Sequence, residues 1–100
     1  GNFKISDTVF RQIIEYLVTK TEAIYKINRV RINKFEELEG ISIYMEVTIV
    51  YGYNAVEELH NFRKKCKKEI ENLTAMNVET LDIIAKGIYI PEEEQKWALL

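Results

Sequence analysis

From Ile41 to Tyr51 the chain alternates without a break. Ile41, Ile43, Met45, Val47, Ile49 and Tyr51 fall on one side, and Ser42, Tyr44, Glu46, Thr48 and Val50 fall on the other. A strand turns successive side chains to opposite faces, so this run predicts a long strand with one buried and one mostly wetted face. Such a strand belongs to a sheet covered by helices on a single side. That demand constrains the remainder of the chain, which must supply partner strands and a one-sided helical cover.

Two segments have helical spacing. After the capping residues Ser6 and Asp7 come Val9, Phe10, Ile13, Ile14, Leu17 and Val18. These predict a first helix over about residues 8–23 with a broad apolar face. After the break at Gly52, Asn54 caps a second helix over residues 55–73, with Glu57 in the capping-box position. Its stripe is Val56, Leu59, Phe62, Cys66, Ile70 and Leu73. Shorter alternations complete the pattern. Phe3 and Ile5 predict a short leading strand, Val30 and Ile32 a strand from Asn28 onward, and Leu81 to Ile90 a last strand. In that last strand Gly87 marks a bulge, and Pro91 ends it. Residues 36–40 read as the turn before the long strand.

The predicted order is β-α-β-β-α-β. Its fold class is α+β, a two-layer sandwich with one mixed or antiparallel sheet and two helices on one face. A ferredoxin-like split βαβ arrangement is the first candidate. Residues 1–90 form one domain and residues 91–100 a short C-terminal tail of helical character. One hundred residues suffice for a single core.

Composition narrows the function classes. Net charge is −2, from 14 basic and 16 acidic residues, too balanced to predict nucleic-acid binding by bulk charge. No apolar run is long enough to span a bilayer. No charged-then-apolar leader is visible, so the chain as given does not read as a secretory precursor. The single cysteine, Cys66, cannot form an internal disulfide, which fits a reducing cytoplasm.

Catalytic chemistry is sparse. His60 and Cys66 lie on one helix, about 120° apart around its axis, and no second His or Cys completes a zinc site. Cys66 sits on the apolar stripe, as a buried inert thiol would. The glycines form no phosphate-cradling loop. Glutamate pairs at residues 36–37, 57–58 and 92–94 sit in turns or at helix starts, where the helix dipole favours them. An acylphosphatase-like hydrolase would need an anion loop with a positioned Arg and Asn, and residues 3–8 contain neither. The residues alone therefore show no active site, and no catalytic residue, cofactor or metal is expected.

Two features point instead to contacts. Arg63, Lys64, Lys65, Lys67 and Lys68 fill the wet side of the second helix. One reading is a solvated face with local i,i+4 pairs, Lys65 with Glu69 and Lys67 with Glu71, each contributing about 0.3 kcal/mol. The other is a cationic strip for an acidic partner or an anionic headgroup layer. In the tail, Trp97 and Leu100 share a helical face, to pack on their own domain or to anchor on a neighbouring subunit. Tyr44, on the open face of the long strand, is placed to meet a partner. The order also matches an RNA-recognition domain, and a small nucleic-acid-binding module using the open sheet face and the basic second helix is the alternative. Ser42, Glu46 and Thr48 around Tyr44 do not supply its aromatic motif, so no specific nucleic acid is expected.

The segments "ISDTVFRQIIEYLVTKTEAI" and "VTIVYGYNAVEELHNFRKKCKKEIENLTAMNVETLDIIAKGIYI" carry a family likeness. Tyr51, Gly52, Asn54, Glu71, Leu73, Thr74, Val78, Gly87 and Ile88 match its pattern, and Ala75 stands where it has glycine. In these the chain resembles the alkaline shock protein family of bacterial envelope-stress proteins. The resemblance implies a non-enzymatic, self-associating scaffold in cell-envelope homeostasis. It implies a homo-oligomer, cytoplasmic or peripheral at the inner membrane face, recruited by a membrane-anchored protein partner; weak contact to anionic membrane is the expectation from the basic strip.

Overall fold

The computed structural model describes residues 3–35 and 40–93. The element order is α1 (Asp7–Thr19), β1 (Ile24–Phe35), β2 (Gly40–Val50), α2 (Ala55–Thr74) and β3 (Asn77–Tyr89). The expected α+β two-layer class holds, with one mixed sheet under two helices. The leading strand does not form. Phe3 is 99% exposed, and residues 3–6 lead directly into α1 without pairing. Two alternating apolar residues are too few to hold a strand against its ordering cost.

That missing strand determines the sheet topology. The strand order is β1-β2-β3, with β1 antiparallel and β3 parallel to β2. With nothing inserted between them, β3 returns through α2 and lies directly against β2, as parallel strands joined by a crossover helix do. β2 is therefore the central strand. Ile41, Ile43, Met45, Val47 and Ile49 are buried along its helix-side face, as the alternation requires. Phe10, Ile14 and Leu17 of α1 and Phe62, Cys66 and Ile70 of α2 close over them.

The helix ends differ from the expected bounds for local reasons. Ser6 caps α1, its hydroxyl accepting from the Thr8 N–H at 3.2 Å. α1 ends at Thr19, four residues early. The Lys20 N–H turns back to Leu17 O at 3.1 Å and the Thr21 N–H to Val18 O at 3.0 Å, and the Thr21 hydroxyl bonds Leu17 O at 2.8 Å. Ala23 and Ile24 are then free to enter the sheet, where both are buried. Asn54 caps α2 as expected, Oδ1 accepting from the Glu57 N–H at 3.0 Å. Its stripe is buried at Phe62, Cys66 and Ile70, but Val56 at 80% and Leu73 at 66% are exposed. Val56 lies about 80° off the axis of the stripe, and Leu73 falls in the last turn.

Two joints flank α2. Gly52 has φ +104°, a backbone state that L side chains rarely adopt, and it allows β2 to turn sharply into the helix. At the other end Ala75 occupies the left-handed region, φ 59° and ψ 12°, with its N–H bonded to Glu71 O at 3.0 Å. This is the αL helix stop that glycine usually fills.

Candidate interaction surface

With both helices on one side, the described residues leave the other face of the sheet open. Register places its side chains in rungs across β1, β2 and β3. Asn33, Ser42 and Thr80 make the first, and the Thr80 hydroxyl donates to Ser42 Oγ at 2.8 Å. Arg31, Tyr44 and Asp82 make the second, and Arg29, Glu46 and Ile84 the third. Lys26, Thr48 and Gly87 follow, with the Thr48 hydroxyl donating to Asn28 Oδ1 at 2.8 Å. The far end is aromatic. Tyr25 of β1 and Tyr89 of β3 stack across β2 with ring centroids 3.9 Å apart and planes 8° from parallel.

Tyr44 stands at the centre, half-buried, and its hydroxyl donates to Glu46 Oε2 at 2.6 Å. That bond raises the Tyr44 pKa above its ordinary value. Burial and the Glu46 charge add to the rise, while Arg31 and Arg29 oppose it. Arg29, Arg31 and Asp82 are exposed, and among the described residues none forms an ion pair. Rungs that mix aromatic rings, aliphatic surface and unpaired charge can hold another macromolecule. They bring no nucleophile beside a base.

The basic cluster of α2 divides in two. Arg63 Nε donates to Leu81 O at 2.9 Å. Lys67 Nζ donates to Glu71 Oε2 at 2.8 Å and to Val78 O at 3.2 Å. These two fasten α2 to β3. Glu71 completes the joint by accepting the Val78 N–H at 2.9 Å. The Lys67 bond, and then the Val78 bond, hold the Glu71 carboxyl below its ordinary pKa. Lys64, Lys65 and Lys68 remain exposed, and the expected Lys65–Glu69 pair does not form. Trp97 and Leu100 lie outside the described residues.

Cys66 is fully buried, and burial pushes its thiol up to about 12. The described residues contain no group of three His, Cys, Asp or Glu able to hold a metal ion. No helix among them is long and apolar enough to cross a membrane. A shallow, mainly apolar cleft of about 540 Å³ lies where β2 passes into α2, lined by Ile49, Tyr51, Tyr53, Lys86 and Ile88 among others. The Tyr53 hydroxyl at its rim bonds Glu22 at 3.2 Å, which raises the Tyr53 pKa.

The architecture defines a two-layer α-β-β-α-β domain with an open three-stranded face. Among solved structures it is similar to C-terminal domains (CTDs) of MamM. The copper form of one variant aligns with TM-score 0.58 at 12% identity, covering 82% of this chain and 98% of that one. The nickel form of another aligns with TM-score 0.57 at 12% identity, covering 80% and 96%. The cadmium form of a third aligns with TM-score 0.56 at 14% identity, covering 80% and 94%. At these identities the likeness shows a shared fold. No family model and no curated protein matches the chain.

These findings overturn the resemblance to the alkaline shock protein family, and its envelope-stress role falls with it. The structure gives a physical reason for the misreading. Gly52 makes the turn, Asn54 caps α2, Glu71 and Val78 close the joint to β3, and Gly87 sits at a register shift. Any chain building this β-α-β joint must satisfy the same local demands, so the matched residues report the joint and not descent.

Proposed function

We propose that this chain is a non-enzymatic protein-interaction domain that self-associates through the open face of its sheet. One observation carries the reading: Arg29, Arg31 and Asp82, which form no ion pair among the described residues, and the stacked Tyr25 and Tyr89 all share the face that neither α1 nor α2 covers. A sheet face of this mixed character is the kind of surface that partners cover, with aromatic and Arg side chains as the usual anchors. The solved neighbours are themselves domains of a larger protein, which supports reading this chain as a contact-making domain.

Sedimentation equilibrium over a hundredfold range of concentration tests the reading. Self-association should appear, and it should weaken on Tyr25→Ser with Tyr44→Ser but not on Lys64→Gln with Lys68→Gln. A chain monomeric throughout refutes it. Binding to single-stranded RNA that falls steeply with salt would put the nucleic-acid alternative in its place.

A further inference from the structure

The charges of the open face are distributed with a handedness. Lys26, Arg29 and Arg31 lie on β1 at one margin, and Asp82 lies on β3 at the other. Arg31 and Asp82 occupy the same rung, on either side of Tyr44. Both are exposed, and neither forms an ion pair among the described residues. A docked partner therefore breaks no pair among the described residues.

A second copy fits this pattern in only one of two simple ways. Rotation by a half-turn about an axis lying along β2, above the open face, keeps each rung at its own height and exchanges its ends. β1 of one copy then lies over β3 of the other, and Arg31 meets Asp82 twice, once on each side. Face-to-face sheets sit about 10 Å apart with strands aligned within about 30°, a gap that an Arg side chain can bridge to an Asp. Rotation about an axis across the strands, between the Arg29 and Arg31 rungs, instead lays β1 over β1 in the opposite direction, with Arg29 of one copy against Arg31 of the other. Like charges set together in this way are strongly disfavoured.

Other features agree with the first arrangement. Each Glu46 meets its own copy, with Arg29 as its rung neighbour on β1 and the Tyr44 hydroxyl donating to it. At the aromatic end the exchange brings the Tyr25 and Tyr89 rings of both copies together. A two-fold contact of this kind closes on itself and uses one patch twice. We propose that two copies of this chain associate face to face about a two-fold axis parallel to β2, Arg31 of each copy pairing with Asp82 of the other. The proposal rests on the self-association proposed above.

Charge reversal in the full chain tests it. In Arg31→Asp both cross-copy contacts become carboxylate against carboxylate, and in Asp82→Arg both become guanidinium against guanidinium. Each variant should dimerise about tenfold or more weakly than the parent by sedimentation. The double variant restores both pairs and should recover to within about threefold of the parent. An equimolar mixture of the two single variants should form a heterodimer, because each presents the charge that the other lacks. Circular dichroism checks folding. Should a reversal fail to fold, Arg31→Gln and Asp82→Asn replace it, each expected to weaken the dimer without repulsion. Single reversals that dimerise like the parent, or a mixture that forms no heterodimer, overturn this geometry and leave self-association standing. A monomeric parent overturns both.

Discussion

Replacing Ala75 with glycine should make this protein more stable, although it deletes a methyl group and loosens the unfolded chain. Ala75 is held at φ 59° and ψ 12°, the left-handed region that an L side chain enters at a cost of about 1–2 kcal/mol. Glycine removes that cost but makes the unfolded state more flexible, which costs about 0.4–1 kcal/mol. Ala75 is exposed, so its methyl group gives up little burial. Its N–H bond to Glu71 O is a backbone contact that glycine keeps. The net gain is about 0.5–1 kcal/mol, or about 2–8 °C in Tm for a domain of this size. Urea melts with an unchanged slope and a higher midpoint would register it. Ala75→Val should do the reverse, since a β-branched residue tolerates positive φ worst. A glycine variant that melts lower, or a valine variant that melts higher, would refute a left-handed stop at this joint.

The remaining predictions concern the joint, the core and the basic face. Glu71 is held below its ordinary value of 4.5, so its contribution to stability is complete above that pH and is lost as pH falls through its lower folded value. Glu71→Gln should flatten this acid limb in melts taken from pH 6 to pH 3. The Cys66 thiol, raised from 9.0 to about 12, keeps its proton in the fold while the unfolded thiol ionises, so stability should fall as pH climbs past 9. The native protein should also resist a thiol-specific chromogenic reagent at pH 8 and react once unfolded; rapid native labelling contradicts the burial. Arg63→Gln should cost about 1 kcal/mol through loss of its bond to Leu81, whereas Lys64→Gln with Lys68→Gln should stay within about 0.5 kcal/mol. If anionic vesicles bind the protein, neutralising Lys64, Lys65 and Lys68 should release it, and Arg63→Gln should not.

How much of this was legible in the chain depended on whether a feature was local. β2 was plain because a central strand covered on one side must alternate, and α2 was plain because Phe62, Cys66 and Ile70 recur at helical spacing. β1 begins at Ile24, four residues before the expected start. Register shifts between Ile24 and Lys26 and between Ile27 and Arg29 place its inward residues Ile24, Ile27, Val30 and Ile32 at spacings of three, three and two. That pattern imitates a helix and conceals the strand. Tyr44 was identifiable from β2 alone. Arg31 and Asp82 were not, because their common rung with Tyr44 appears only when strand order and register are known. The sequence places the basic cluster on one wet face, yet Arg63 and Lys67 are struts; Lys67 has a local sign in Glu71 four residues on, and nothing local distinguishes Arg63 from Lys64 and Lys68.

The pairing of β2 also bears on how the chain assembles. Its β1 neighbour is close in sequence and can zip up as soon as Val50 has left the ribosome, a low-cost loop closure. Its β3 neighbour cannot arrive until α2 has been made and folded back. During that interval the far margin of β2 carries a bare row of backbone donors and acceptors, open to strand addition by any nascent neighbour. The vulnerable moment in the life of this protein falls during synthesis, between the emergence of Val50 and that of Tyr89.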